Sequence, residues 1–251
     1  MQLMGILNVT PDSFADGGDH FAIEDAIAFG LQMMKDGADI IDVGGESTRP
    51  GAERVTEAEE LNRVIPVIKA LSAQGATISV DTMRANTAKR AVEAGAQIVN
   101  DVSGGAADPE MLSTVAELGC TYILMHWRGH SKDMNSKAIY QDVVQEVIAE
   151  LNEQVQKALA AGIQPANIIL DPGIGFAKDA QHNWEVIERL HEITALGYPV
   201  LIGHSRKRFL GGEKPDDREA ATVALTKSLS DKGIWGVRVH GVRANYEAIH
   251  R

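Results

Sequence analysis

Eight short runs rich in Ile and Val, separated by longer helical patterns, constrain this chain more than any other feature. They are LMGILNV (3–9), DIIDVG (39–44), TISVD (77–81), QIVND (97–101), TYILMH (121–126), NIILD (167–171), PVLIGHS (199–205) and WGVRVH (235–240). Near-continuous hydrophobicity is what a parallel strand covered on both faces shows. This strand–helix alternation over 251 residues predicts an α/β fold, a single (β/α)8 TIM barrel filling residues 1–251 as one domain. A doubly wound open sheet is the rival, because periodicity does not separate a closed sheet from an open one. The barrel makes a further demand: polar residues should gather at the C-terminal ends of the strands. Asn8, Asp42, Asp81, Asn100, Asp101, His126, Asp171, Ser205, Arg238 and His240 all fall there. The barrel is the expectation.

Helix signals fill the gaps. Thr56 and Glu59 form a capping box ahead of AEELNRVIPVIKAL, with Pro66 expected to kink that helix. Asp108-Pro109 has the form of an N-cap followed by proline at the first helical position, opening a helix toward Leu118. Gly37, Gly75, Gly95, Gly119, Gly162, Gly197 and Gly233 each stand where a helix ends and a strand approaches.

Composition narrows the function. A net charge of −11 argues against a general nucleic-acid or membrane-surface binder, so an anionic ligand must meet a local basic cluster. Cys120 is the single cysteine, which removes disulfide frameworks and thiolate zinc sites and fits a reducing cytoplasm. The start, MQLMGILNVTPDSF, lacks the basic head and long apolar run of a signal peptide. No run approaches ~18 apolar residues, so no membrane span is expected.

The stretch DVGGESTRPG (42–51) follows the second strand with two glycines, a carboxylate, two hydroxyls, an arginine and a Pro-Gly turn. It lacks the Gly-Lys-Ser/Thr end of a Walker loop. DPGIGF (171–176) lacks the third glycine of a dinucleotide fingerprint, and His126 with His130 makes only a weak case for zinc. Three strand ends say more. Asp81, Asn100 and Asp171 would converge on the barrel mouth, and buried carboxylates are costly unless met by donors. A flat heterocycle with an amino-imino edge would meet a carboxylate through two parallel bonds. The plainer alternative pairs Asp81 with Arg84 and Asp171 with Lys178. Arg49, Lys207, Arg208, Arg238 and His240 form the basic complement. Arg238 and His240 alternate along the last strand and so share a side, where a phosphate group would explain both. Solvated end-of-strand charges are the alternative. Ser205-Arg206-Lys207-Arg208 lies where the seventh strand hands over to a helix, a place that favours an anion. Ser205 would otherwise be a simple N-cap.

Taken in order, MGILNVTPDSFADGG, DVGGESTRPGA, VDTMR, VNDVSGG, LMHWRG, LDPGIGF, GHSRKRFLG and VRVHGV resemble the dihydropteroate synthase family over essentially the whole chain. The resemblance implies a (β/α)8 barrel of the pterin-binding group that is a homodimer. It also implies condensation of 7,8-dihydropterin-6-ylmethyl pyrophosphate with 4-aminobenzoate, with Mg2+ as cofactor and pyrophosphate as leaving group. By resemblance, Asp81, Asn100, Asp171 and Lys207 hold the pterin. Asn8, Arg49, Arg238 and His240 bind the pyrophosphate, and the side-chain oxygen of Asn8 reaches Mg2+. Phe14, Thr48, Pro50 and Phe176 wall the aminobenzoate, whose carboxylate lies at the helix start after Ser205. Arg49, Lys207, Arg238 and His240 are then the catalytic set, and the loop after Asn8, with Asp12 and Asp16, closes over the site. Sulfonamides share the shape and charge of 4-aminobenzoate and are expected to compete for its slot.

Two departures from the family pattern stand out. Arg208 replaces the serine that often follows the motif lysine, and it would meet the aminobenzoate carboxylate or point to solvent. Gly241 in RVHGV replaces a common acid to which no role is assigned. Two rivals remain: a pterin-dependent methyltransferase on the same barrel, and a non-catalytic pterin-binding paralogue. The methyltransferase has no reason to keep Arg49, Arg238, His240 and the TRPG loop, and the intact motifs argue against the paralogue.

Overall fold

Side chains along a strand point alternately to its two faces, so in a closed sheet every second residue faces the interior. The computed structural model describes residues 1–10, 19–46, 55–129 and 134–250. Within them, eight parallel strands form one sheet: β1 (Gln2–Asn8), β2 (Ile40–Gly44), β3 (Ile78–Asp81), β4 (Ile98–Asp101), β5 (Thr121–Met125), β6 (Ile168–Asp171), β7 (Leu201–Ile202) and β8 (Gly236–Val239). Neighbours in the chain are neighbours in the sheet, and β8 returns to pair with β1. β6 and β7 meet through an isolated parallel bridge, Leu170↔Val200, which brings the sheet almost to closure. The expected (β/α)8 architecture is the one observed.

Nine α-helices lie among the described residues: α1 (Asp19–Lys35), α2 (Glu57–Ala73), α3 (Ala85–Glu93), α4 (Met111–Leu118), α5 (Val143–Ala160), α6 (Ala180–Glu188), α7 (Leu190–Thr194), α8 (Glu219–Leu229) and α9 (Val242–His250). The outer core joins them to the outward strand residues, among them Leu3, Ile41, Val80, Val99, Leu170 and Val237. A second, smaller cluster fills the barrel: Met4, Ile40, Ile98, Ile123, Ile169 and Leu201. Each such aliphatic side chain, fully buried, contributes roughly 1.5–3 kcal/mol.

The inner plug places the site. Two residues beyond Ile40, Ile98 and Ile169 on the same face stand Asp42, Asn100 and Asp171. The apolar layer therefore closes the barrel floor directly beneath a polar layer.

Some local expectations need correction. The capping box at Thr56 is half formed: its hydroxyl accepts from the Glu59 amide at 3.3 Å, while the Glu59 side chain pairs with Arg63. Asp108 does not cap α4, which begins at Met111 behind Glu110. One Asp108 oxygen instead accepts from the Ala85 amide at 2.8 Å, at the first turn of α3, and the other from Glu110. The seventh strand is shorter than PVLIGHS, because His204 turns out of the sheet toward α8, meeting Thr226 at 3.0 Å and the Thr222 carbonyl at 3.1 Å.

Candidate active site

The C-terminal ends of four strands meet in one buried cluster. Arg238, projecting inward from β8, donates from Nε to Asp42 at 2.6 Å and from Nη2 to Asp81 at 2.7 Å. Asn100 donates to the same Asp42 oxygen at 3.0 Å. Two carboxylates thus share one guanidinium. Asp42 is fully buried, and its other oxygen has no hydrogen-bond partner. Burial pushes the Asp81 carboxyl up to about 7; Arg238 opposes the rise, while the Asp42 and Glu60 carboxylates add to it.

Asp171 stands across the barrel at the end of β6. Its Oδ1 accepts from the Gly173 amide at 2.7 Å. Burial raises its pKa, with Lys207 the main opposing charge. Lys207 arrives from the segment after β7, donates to the Ile174 carbonyl and lies 4.4 Å above the Phe176 ring. Burial pulls the Lys207 ammonium down to about 7 against the pull of Asp171. The loop between these residues depends on its glycines. A Cβ on Gly173 would stand 2.5 Å from the His126 carbonyl, and one on Gly175 2.5 Å from the Lys207 stem; both have positive φ.

The plainer pairings are not what forms. Arg84 leaves Asp81 to Arg238 and binds Glu60, Glu46 at 2.7 Å and the Val55 carbonyl. Lys178 donates to His126 and to two loop carbonyls rather than to Asp171. Arg238 turns to Asp42 and Asp81, and His240 Nδ1 meets the Ser205 hydroxyl at 3.0 Å. That contact occupies Ser205, which caps no helix. The segment after it forms only a short 3-10 turn, Arg208–Leu210, and α8 begins at Glu219. A helix start after Ser205 is therefore corrected to a turn.

Asn8 ends β1 and is half-buried, and Arg208 is exposed. Phe14, Thr48, Arg49, Pro50, Asp12, Asp16 and His130 lie outside the described residues. The residues just before and after 47–54 are both tied to Arg84, through Glu46 and Val55. Asp42 stands among the strand-end polar residues of the sequence with no role attached to it. The signal was present, since Asp42 follows Ile40 by two on the inward face.

Gly241 also acquires an explanation. A Cβ there would stand 2.0 Å from Glu219 Oε1. The other oxygen of Glu219 accepts from Arg206 Nε at 2.7 Å. The carboxylate of Glu219 fills the space that an acidic side chain at 241 would enter.

Chemically, the mouth presents carboxylates with open acceptor capacity on opposite walls and cations beside them. It suits a flat ligand with an N–H-rich edge and an anionic arm. The family of pterin-binding enzymes matches residues 4–240. Dihydropteroate synthase of Mycobacterium leprae is 50% identical over 259 residues, covering 99% of this chain and 91% of that protein. The dihydropteroate synthase of Xanthomonas albilineans, solved with 4-aminobenzoic acid, superposes with a TM-score of 0.93 at 44% identity, covering 99% and 90% of the two chains. A complex of the Xanthomonas enzyme with 7,8-dihydropteroate gives 0.90 at 40% identity, covering 99% and 91%. Eight parallel strands, a charged pocket over an apolar plug and similarity along nearly its whole length lead to one conclusion: the chain belongs to the dihydropteroate synthase family of pterin-binding enzymes.

Proposed function

We propose that this chain condenses 7,8-dihydropterin-6-ylmethyl pyrophosphate with 4-aminobenzoate, releasing pyrophosphate and forming 7,8-dihydropteroate for folate synthesis. The observation that carries the reading is the pair of buried carboxylates, Asp81 and Asp171, whose pKa values burial raises. A pterin's amino-imino edge supplies parallel N–H donors to such a group, each charge-assisted bond worth ~1.5–3 kcal/mol. Asp171 would accept from that edge and Lys207 would donate to an acceptor atom of the ring, with Asn100 and Asp81 completing the cradle. Arg49, Arg238 and His240 would face the pyrophosphate. Thr48, Pro50, Phe14 and Phe176 would wall the aminobenzoate.

The reacting carbon is a methylene on an electron-rich ring. Its C–O bond breaks with the electron pair leaving on pyrophosphate, and the ring delocalises the positive charge. The aromatic amine then attacks and sheds its proton after the C–N bond has formed, so no side chain is needed as a strong base. The chain's task is to stabilise charge on the departing oxygens, a role for Arg49, Arg238 and His240. A Mg2+ ion would suit Asn8, whose carboxamide oxygen is the hard donor this ion takes when substrate phosphates complete its shell. When bound, it neutralises phosphate charge. The active form is proposed to be a cytoplasmic homodimer.

The direct test incubates purified protein with both substrates and Mg2+ and measures pyrophosphate and 7,8-dihydropteroate. Equal release of the two supports the assignment. No release under conditions where the protein is folded overturns it.

A further inference from the structure

Between β5 and β6 lies a buried polar network that the reaction above does not use. His126 follows β5 and is fully buried. Its Nε2 meets Glu150 Oε2 at 2.9 Å, and its Nδ1 meets Lys178 Nζ at 3.0 Å. Lys178 reaches two more acceptors, the carbonyls of Gly173 at 3.2 Å and Phe176 at 3.3 Å. An ammonium has three donors and no acceptor, so these contacts satisfy it. They also fix the histidine: Nδ1 must present a lone pair, leaving the proton on Nε2 for Glu150.

The network grips the 172–177 turn at one further point. Arg128 joins Glu150 at 3.0 Å and lies 3.9 Å from the centre of the Tyr140 ring. The Tyr140 hydroxyl donates to the Ala177 carbonyl at 2.9 Å. Ala177 has φ +46, a left-handed conformation unusual for a residue with a Cβ. Such backbone persists where its surroundings hold it in place. The turn held in this way carries two binding groups. Its Gly173 amide orients Asp171, and its Phe176 ring faces Lys207.

We propose that Lys178, held by His126 and Glu150, is a positioning residue whose ammonium fixes the 172–177 turn and thereby sets Asp171 and Phe176 together. The inference rests on the assignment of Asp171 to the pterin and Phe176 to the aminobenzoate. It gives one buried cation control over both substrates, although it touches neither.

The test compares Lys178→Gln, Asp171→Asn and the double variant. Calorimetry measures the affinity for 7,8-dihydropterin-6-ylmethyl pyrophosphate, and steady-state kinetics give KM for 4-aminobenzoate. Lys178→Gln should weaken the pterin about tenfold and raise KM for aminobenzoate severalfold, while still melting cooperatively. The double variant should lose less pterin affinity than the product of the single losses, because both act through one carboxylate. A folded Lys178→Gln with parental affinity, beside a weakened Asp171→Asn, overturns the positioning role alone. Parental affinity in Asp171→Asn overturns the site assignment beneath it. Should Lys178→Gln fail to fold, Glu150→Gln on the half-exposed side of α5 replaces it. A two- to fivefold weakening of both substrates then supports the relay, and no change in either sinks it.

Discussion

Asp101 and Asp171 are buried aspartates at the ends of β4 and β6, and they are held in opposite ways. Asp101 accepts from the Ser103 amide at 2.8 Å, the Ser103 hydroxyl at 2.7 Å, the Gly105 amide at 2.7 Å and the Tyr122 hydroxyl at 2.9 Å. Asp171 accepts one amide on Oδ1. A carboxylate has about four acceptor sites. Asp101 is filled by its own turn and by Tyr122 of the neighbouring strand, and it serves the fold. Asp171 keeps capacity for something else to fill. Burial alone does not mark a binding residue; the number of donors already supplied does.

The strongest challenge to that contrast is the same substitution at both ends. Asp171→Asn should lower pterin affinity ~10–100-fold, the loss of about one charge-assisted bond, while the protein still melts in one transition. Asp101→Asn should lose ~1–3 kcal/mol of stability, with pterin affinity in the folded protein unchanged. Calorimetric binding and denaturant melts on the two variants decide it. Reversed phenotypes would break the comparison.

A crowding test comes next. Gly241→Asp places a side chain against Glu219 and should cost ~1–3 kcal/mol. Glu219→Ala in the same chain should recover much of that loss. If the double variant melts below Gly241→Asp alone, the space around Glu219 is not what excludes the acid.

Titration separates the filled and open groups by sign. Burial pulls His204 down to about 4. Between about 6.5 and 4 the unfolded histidine therefore binds the proton that the folded one refuses. Its contribution to stability is present above 6.5 and lost as pH falls, by up to about 1.4 kcal/mol per pH unit. Asp81 runs the other way: raised to about 7, it binds more proton when folded, so its contribution is present at low pH and lost as pH rises through about 7. His204→Asn should flatten the acid-side slope by one proton, measured as the difference from parent in melts between pH 7 and 4. Pterin should remove the Asp81 contribution and leave that of His204. A variant with the parental slope would mean His204 protonates in the fold.

The smallest effect is expected at the exposed Arg208. Arg208→Ser should raise KM for aminobenzoate by less than about fivefold and leave that for the pterin unchanged. Equal changes in both would indicate that the turn has moved.

Much of the site could be read from spacing. The strand pattern puts Asp42, Asn100 and Asp171 at C-terminal strand ends, and the structure adds that they stand on the inward face above Ile40, Ile98 and Ile169. Spacing gives a face but not a partner. Arg238 lies 196 residues from Asp42 in the chain, and no local pattern shows that it bridges Asp42 and Asp81. Proximity in sequence offers Lys178 to Asp171 as the plainer alternative, whereas the turn between them folds so that the ammonium meets carbonyls and His126. Boundaries failed for a similar reason. PVLIGHS has strand composition throughout, but His204 finds its partners on α8, and that tertiary pull ends the ladder at Ile202.

The bridge at Leu170↔Val200 bears on how a ligand acts on the whole barrel. Together with the amide of Leu170 donating to Pro199 at 2.8 Å, it is a thin stitch along a cylinder whose other strand pairs make longer ladders. Asp171 stands on one bank of this seam and Lys207 on the other. A pterin held by both would work as a rivet, drawing the banks together from the rim. Its binding should slow amide exchange down the length of β6 and β7, well below any atom it touches. The same stitch marks where the empty barrel should part first under heat.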